Sequence, residues 1–219
     1  MIYSPRAVTV EEVEAAGGYG AVLADPCWNY DQKVRRTLDD AHYATLSVEQ
    51  LCALPVRRIA AKDSALFLWC TWPHVCQGSH VEVARAWGFE LRTLAFVWVK
   101  RSSKAGKVEW GNGSWTRANT EPCFLGVRGR PKRVDAGVHQ YLEDFAPEEV
   151  LDAARGRHSA KPAVVRKKIA QLLGPLPAIE LFARERDSEF GDCWGLEAPG
   201  GSDVVMEVAG AGPAEADGQ

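Results

Sequence analysis

Short apolar runs alternate with amphipathic stretches along most of the chain, a pattern typical of α/β proteins. Six runs predict strands, at residues 21–24, 65–70, 91–99, 122–127, 178–183 and 190–194. Because helical stretches separate most of these runs, we predict a mainly parallel sheet with helices on both faces. The pattern predicts an α/β sandwich and, by itself, no particular reaction.

Four stretches predict helices, at residues 47–54, 73–87, 147–154 and 162–173. Ser47 and Gln50 have the spacing of a capping box at the start of the first helix, and Pro55 ends it. Gly88 and Gly174 follow the second and fourth helices, where glycine favours a C-terminal cap. Helix boundaries are thus marked by their capping residues as well as by periodicity.

The chain has 219 residues, 46% of them hydrophobic and 25% charged, which suits a single domain with a sizeable core. We place that domain at residues 1–197. Residues 198–219 are rich in Gly, Ala, Pro and acids, and we predict a disordered tail with order only around residues 204–208. No signal segment is visible and no apolar run approaches ~18 residues, so we expect a soluble cytoplasmic protein.

The net charge of −3 excludes a whole-protein positive field, so any binding of nucleic acid must depend on local basic groups. Three such groups are Lys33, Arg35 and Arg36; Lys100, Arg101, Lys104 and Lys107; and Arg128, Arg130, Lys132 and Arg133. Charge clusters on loops are usually only solvated, but three such loops emerging near one sheet edge would form a phosphate-binding rim. The six cysteines form no Cys-x-x-Cys pair, which predicts mostly buried free thiols and no metal site.

The first predicted strand ends in Asp25-Pro26-Cys27-Trp28. Pro26 has no N–H to continue the pairing, so these residues follow the carboxyl end of the strand, where open α/β sheets bind ligands. A carboxylate, freed backbone carbonyls and an indole suit a planar base that carries an exocyclic amine. Taken alone, the block fits equally well a strand end with a helix-breaking proline and a core tryptophan.

This block resembles the Asp-Pro-Pro-Trp motif of the MT-A70 family of adenine-N6 methyltransferases. Further blocks similar to that family follow in order, at residues 42–47, 66–71, 86–89, 97–100, 117–121, 126–131, 158–162, 180–184 and 194–195. The resemblance implies a Rossmann-like methyltransferase fold with S-adenosylmethionine as methyl donor. It also implies a permuted motif order, with the catalytic block first and the main cofactor strand last.

In the roles that the resemblance implies, the Asp25 carboxylate and the Pro26 carbonyl hold the amine hydrogens while Trp28 stacks on the base. Cys27 stands where the family usually has a second proline. The acceptor is a main-chain oxygen, so we expect activity, although slower because cysteine does not fix φ. Covalent catalysis by the thiol is the disfavoured alternative.

The resemblance implies a set of cofactor-binding residues: Asp25, Lys161, Glu180, Phe182, Arg184 and Asp187. Glu180 is expected to bind ribose hydroxyls, as acids do after dinucleotide-binding strands, and Lys161 to meet either the cofactor carboxylate or the target nucleotide. A surface ion pair between Glu180 and Arg184 is the alternative. The implied substrate-binding residues are Tyr30, Arg35, Arg36, Tyr43, Asn119 and Ser159.

We therefore expect a methyltransferase acting on adenine in nucleic acid, with DNA favoured over RNA, in a bacterial or phage setting. A duplex substrate would have to flip its adenine out of the stack to reach Asp25. We expect a monomer or homodimer without a membrane partner. The alternative is a non-catalytic nucleic-acid-binding subunit of the same fold, against which the retained Asp25, Trp28, Glu180 and Arg184 argue.

Overall fold

A computed structural model describes residues 7–29, 45–100, 115–143, 161–184, 186–195 and 201–207. The elements in chain order are β1 (Val8–Thr9), α1 (Val10–Ala15), β2 (Tyr19–Ala24), α2 (Val48–Ala53), α3 (Val56–Ile59), β3 (Ala60–Trp69), α4 (Trp72–Gln77), α5 (Ser79–Ala86), β4 (Glu90–Val99), β5 (Thr120–Arg128), β6 (Tyr141–Glu143), α6 (Val164–Leu173), β7 (Ala178–Leu181), β8 (Asp192–Trp194) and β9 (Val204–Val205). The predicted helix at residues 147–154 lies outside the described residues.

Seven of these strands form one sheet in the order β6-β4-β5-β3-β2-β7-β8. Every neighbouring pair is parallel except the two pairs that include β5, which runs antiparallel to both β3 and β4. The mainly parallel α/β sheet is therefore confirmed. β2, early in the chain, lies directly between β3 and β7, so the catalytic block and the cofactor strand that the resemblance implies are neighbours in the sheet.

The central strand β2 is buried along its whole length, which explains its continuous apolar sequence. Val22 and Ala24 face a core shared with α1, α2, α3 and α5. Ala21 and Leu23 face the opposite core, which packs against α6. Helices thus cover both faces of the sheet within the described part of the chain.

Local sequence signals explain where most helices begin and end. Both hydrogen bonds of the predicted capping box are present, because Gln50 N–H donates to Ser47 Oγ and Ser47 N–H donates to Gln50 Oε1. The single helix predicted for residues 73–87 is instead two helices, α4 and α5. Gly78 separates them with a φ of +81°, a left-handed conformation that glycine adopts without a steric penalty.

Residues 201–207 lie within the region predicted as a tail, and the order expected around residues 204–208 is seen at β9. There β9 pairs in parallel with β1, and Val204 is fully buried. Asp203 anchors the segment by accepting from Arg186 Nη1 at 2.6 Å and from the backbone N–H of Cys193 at 2.9 Å. Two-residue strands that pair across the whole chain leave no periodic pattern in the sequence, which is why β1 and β9 were not predicted. Within the described residues, none of the helices has the length and apolar character needed to cross a membrane.

Candidate active site

The carboxyl ends of β2 and β7 meet at one edge of the sheet. Ala24 is paired in register with Leu181, and the backbone N–H of Asp25 donates to the Leu181 carbonyl at 3.4 Å. The antiparallel β5 brings its amino end to the same edge, because Cys123 pairs with Trp69 at the end of β3. Two residues before Cys123, the strand places Glu121 beside the residues that follow β2.

An ammonium group joins the two acids at this edge. Lys161 Nζ lies 2.7 Å from Asp25 Oδ1, 2.8 Å from Asp25 Oδ2 and 3.0 Å from Glu121 Oε1. The side chain of Lys161 is 8% exposed, that of Asp25 19% and that of Glu121 10%. Lys100 extends the series outward, with Nζ 3.2 Å from Glu121 Oε2 and a side chain that is 41% exposed. We call Asp25, Lys161, Glu121 and Lys100 the charge chain.

The charges in this chain shift one another's protonation. Burial raises the pKa of Asp25, and the nearby Glu121 adds to the rise, while Lys161 and Arg184 oppose it. Burial alone would raise the pKa of Glu121 too, but Lys161 and Lys100 outweigh it and hold that pKa below its ordinary value. The pKa of Lys161 rises although burial opposes the rise, because both carboxylates favour its charged form.

The residues after Asp25 form a tight turn. The backbone N–H of Trp28 donates to the Pro26 carbonyl at 2.9 Å, and the N–H of Leu46 donates to the Cys27 carbonyl at 3.0 Å. The Pro26 oxygen therefore already accepts one hydrogen bond, and its second lone pair is the one left for a ligand. Cys27 Sγ lies 3.9 Å from Arg184 Nη2, which links the turn to the chain after β7.

Trp28 is placed differently from the open stacking surface that its predicted role requires. Its side chain is 4% exposed and its ring stacks on His74 with a centroid separation of 5.1 Å. Its indole N–H donates to the Trp69 carbonyl at 3.1 Å. His74 is itself buried, and its Nδ1 lies 3.3 Å from Ser79 Oγ. In this conformation Trp28 is a core residue that fixes the turn, as the alternative interpretation of the motif expected.

Glu180 is paired with a residue that the sequence did not indicate. Arg166 Nε lies 2.6 Å from Glu180 Oε2, and Arg166 Nη2 lies 3.1 Å from Oε1. The two side chains are 9% and 13% exposed, so this is a buried bidentate pair between α6 and β7. The alternative of a surface ion pair between Glu180 and Arg184 is therefore wrong. Both oxygens that were expected to bind ribose hydroxyls are engaged by Arg166.

The segment after β7 packs tightly against β8. Phe182 has a φ of +63°, the one positive φ outside glycine in the described residues, and its ring makes an edge contact with Trp194 at 5.1 Å. A Cβ on Gly195 would lie 2.5 Å from the Ala183 carbonyl oxygen, so only glycine fits there. Asp187 Oδ1 accepts from the backbone N–H groups of Glu189 and Phe190, which stabilises the next turn.

Most of the predicted substrate-binding residues, namely Tyr30, Arg35, Arg36, Tyr43 and Ser159, lie outside the described residues. Asn119 lies at the active edge, half-buried, and its carbonyl accepts from the backbone N–H of Lys100 at 2.9 Å. The basic group at residues 128–133 is misplaced in the prediction. It follows the carboxyl end of the antiparallel β5, and Arg128 donates to the Arg57 and Ala60 carbonyls at the opposite edge of the sheet.

Sequence reasoning missed Glu121, Arg166 and His74 as members of this region. Glu121 lay within a block quoted for the family resemblance, at residues 117–121, so a signal was present but no role was attached to it. The six cysteines are free, as predicted, but only three are buried and Cys76 is exposed.

Comparison with known proteins gives a consistent result. The MT-A70 family model matches residues 19–197. The chain is 31% identical to the type II methyltransferase M.MunI of a Mycoplasma species over 201 residues, which cover 83% of this chain and 78% of that protein. It is 29% identical to the human N(6)-adenosine-methyltransferase catalytic subunit METTL3 over 174 residues, which cover 79% of this chain but 27% of METTL3. The zebrafish METTL3 subunit is 28% identical over 178 residues, 79% of this chain and 26% of that protein.

Proposed function

The chain belongs to the MT-A70 family, and we propose that it transfers a methyl group to the N6 amine of adenine in DNA, with Asp25 as the residue that orients the amine. The family assignment makes it an adenine-N6 methyltransferase of nucleic acid. DNA is favoured because the match to the type II methyltransferase spans most of both proteins, whereas the match to METTL3 spans a small part of that subunit. The observation that carries the proposal is the position of Asp25 where the carboxyl ends of β2 and β7 meet.

Methyltransferases of this family use S-adenosylmethionine. When bound, it supplies a methyl group activated by a positively charged sulfur. The groups at the active edge fit such a ligand. Asp25 can accept from its ammonium group, Arg184 can donate to its carboxylate or hydroxyls, and Phe182 offers an aromatic surface at the end of β7.

We propose that the main role of Glu180 is to brace the end of β7 from the α6 side, because Arg166 binds both of its carboxylate oxygens. One lone pair on each oxygen remains, so a contact with ribose hydroxyls is secondary to this pairing. Lys161 Nζ is held between the carboxylates of Asp25 and Glu121, three of whose oxygens lie within 3.0 Å, so we propose that Lys161 acts on Asp25 and not directly on the cofactor.

The chemistry asks the protein to orient a weak nucleophile. The lone pair of an adenine amine is delocalised into the ring, so its hydrogens must be held out of the ring plane for the lone pair to point at the methyl group. The ionised Asp25 carboxylate accepts a hydrogen bond from one N–H of the amine. The second lone pair of the Pro26 carbonyl accepts a hydrogen bond from the other N–H. Because burial raises the pKa of Asp25, the adjacent Lys161 is needed to keep it ionised.

The polymer is proposed to lie across the exposed side chains next to the charge chain. Trp72 is 43% exposed while its indole N–H donates to Thr120, and Trp115 is 99% exposed. Lys100 and the exposed Arg117 add positive charge at the same edge. Aromatic rings interleaved with basic side chains are typical of surfaces that bind unstacked nucleic acid, and a flipped adenine would enter beside them.

The test is an assay with labelled S-adenosylmethionine on matched duplex DNA, single-stranded DNA and RNA, followed by nucleoside analysis. We expect N6-methyladenine in DNA at a rate well above that in RNA. A higher rate on RNA would overturn the DNA assignment while keeping the reaction. A protein that binds the cofactor yet forms no N6-methyladenine in any polymer would be the non-catalytic subunit instead.

A further inference from the structure

The charge chain has an order that simple ion pairing does not require. From the surface inward its charges alternate, Lys100 positive, Glu121 negative, Lys161 positive and Asp25 negative, with successive separations of 3.2, 3.0 and 2.7 Å. Only its outer end is well exposed, since the Lys100 side chain is 41% exposed and that of Lys161 is 8% exposed. The other end of the chain is the proposed catalytic carboxylate of Asp25, whose side chain is 19% exposed.

Two carboxylates share Lys161 in this arrangement. Three carboxylate oxygens lie within 3.0 Å of Nζ, two from Asp25 and one from Glu121. Because the two oxygens of one carboxylate are too close together to meet two diverging N–H bonds, one N–H of Lys161 serves Asp25 and a second serves Glu121. A carboxylate accepts at about four lone-pair positions, so Lys161 leaves about one free on each oxygen of Asp25. The side of Asp25 that faces away from Lys161 is therefore the side available to an amine.

Two indole rings underlie the same series. Lys161 Nζ lies 5.6 Å from the centre of the Trp69 ring and Lys100 Nζ lies 5.0 Å from the centre of the Trp98 ring. The two rings contact each other edge to face at 6.5 Å. The face of each indole ring attracts the ammonium group above it, so the position of each lysine depends on a ring as well as on its carboxylate partners.

We propose that Glu121 is a positioning residue for methyl transfer, which acts through Lys161 to fix the orientation of the Asp25 carboxylate. This inference rests on the proposed function. Glu121 holds a second N–H of Lys161, and so restrains the ammonium from rotating onto the lone pairs of Asp25 that the amine needs. Lys100 holds Glu121 from the solvent side and plays a smaller part. Glu121 itself touches neither the amine nor the cofactor in this role.

A purely stabilising role explains the arrangement less well. Buried ion pairs contribute little to stability on average, and apolar residues of similar size often replace them without loss. Glu121 also raises the pKa of the very acid that must be ionised. The arrangement is explained if the geometry of Asp25 is what Glu121 maintains.

The experiment uses the full-length protein and four variants, Glu121→Gln, Glu121→Asp, Lys161→Met and the double variant Glu121→Gln/Lys161→Met. Glutamine keeps the shape but removes the charge, and aspartate keeps the charge on a shorter stem. The matched control is Glu82→Gln, an exposed glutamate on α5. The measurements are kcat with both substrates saturating, KM for DNA, the calorimetric Kd of S-adenosylmethionine and the melting temperature.

We expect Glu121→Gln to lower kcat by about tenfold to 100-fold, the loss that small misplacements of catalytic groups produce. The Kd of the cofactor and KM for DNA should stay within about threefold of wild type, and Glu121→Asp should recover part of kcat. In the Lys161→Met background the Glu121→Gln effect should shrink to less than about threefold, because the route through Lys161 is gone. Glu82→Gln should behave as wild type.

Other outcomes would overturn the inference in distinguishable ways. An unchanged kcat with a lowered melting temperature would give Glu121 a structural role only. A raised cofactor Kd or DNA KM that accounts for the whole loss would make it a ligand, and an undiminished effect without Lys161 would rule out the route through that residue. Wild-type protein that methylates no polymer refutes the proposed function before any variant is tested, and this inference with it.

Discussion

Two buried charge clusters flank the active edge, and they are built differently. The pair between Arg166 and Glu180 joins one base to one acid through two N–H···O contacts of 2.6 and 3.1 Å. The guanidinium fork matches the carboxylate geometry, so the pair is directed and locally balanced in charge. It ties α6 to the end of β7, a task for which a rigid connection is sufficient.

The charge chain also balances two lysines against two acids, but it lacks the directed geometry of that pair. Lysine presents a compact charge on a flexible stem, and Lys161 is shared between two acids, so its position depends on every neighbour. Burial raises the pKa of Asp25 whereas Lys161 and Lys100 hold that of Glu121 down. Because Lys161 is shared by two acids and keeps Asp25 ionised, a change in either partner alters the position of Lys161 and the pKa of Asp25. The difference suggests that the first cluster supports the site and the second performs its chemistry.

Removal of Asp25 from the charge chain should distinguish the roles of the two clusters most clearly. Asp25→Ala should lower kcat by at least about 1,000-fold, because both the orienting acceptor and its charge are lost. The fold should survive, since Lys161 keeps Glu121 as a partner at 3.0 Å. Nucleoside analysis by mass spectrometry measures the loss, and circular dichroism checks the fold. Residual turnover within about tenfold of wild type would move the catalytic role away from Asp25.

Breaking the first cluster should affect stability first. Arg166→Met leaves the Glu180 carboxylate buried without its bidentate partner, and we expect a loss of about 3–5 kcal/mol in the free energy of unfolding. The double variant Arg166→Met/Glu180→Leu should recover most of that loss, because no uncompensated charge remains. Urea unfolding curves measure both. If the cofactor Kd of the folded double variant rises more than about tenfold, Glu180 is a ligand and not a brace.

The pH profile provides a third way to compare the clusters. Asp25 works as a carboxylate, so kcat falls as the pH drops through its pKa. Lys161 lowers that pKa against burial and Glu121, with help from Arg184. In Lys161→Met the pKa rises, and the acidic limb of the profile should move to higher pH than in wild type. Profiles of kcat over about pH 5–9 for both proteins measure the shift. A limb that stays in place would assign it to another group.

The sequence predicted the position of Asp25, a member of the charge chain, but it did not predict the partners of either cluster. Strand positions, the capping box at Ser47 and the placement of Asp25 at a carboxyl edge follow from local patterns, and the structure agrees with them. The antiparallel direction of β5 does not follow from a local pattern, because strand direction is set by long-range pairing. That one reversal brings Glu121 to the active edge and carries Arg128 to the opposite one.

Contacts between residues far apart in the sequence could not be predicted from it either. Trp28 was assigned a stacking role from its position in the motif. In the structure its ring packs against His74 of α4, which lies 46 residues further along the chain. The pairing of Arg166 with Glu180 depends on the approach of α6 to β7, which no spacing encodes. A local motif therefore predicted which edge is active, and non-local contacts decide which side chains share it.

The smallest expected effect concerns Cys27, which follows Asp25 by two residues and whose Sγ lies 3.9 Å from Arg184 Nη2. Cys27→Pro would fix φ as in the related motif while keeping the carbonyl that accepts from Leu46. We expect a gain of about 0.4–1 kcal/mol in unfolding free energy and a rise in kcat of less than about threefold. Thermal unfolding and initial rates measure both, with Cys27→Ala as the control that removes the thiol without restricting φ. If both variants lose activity, the Cys27 thiol takes part in the reaction; if only the proline variant does, the turn at Cys27 requires a φ that proline cannot adopt.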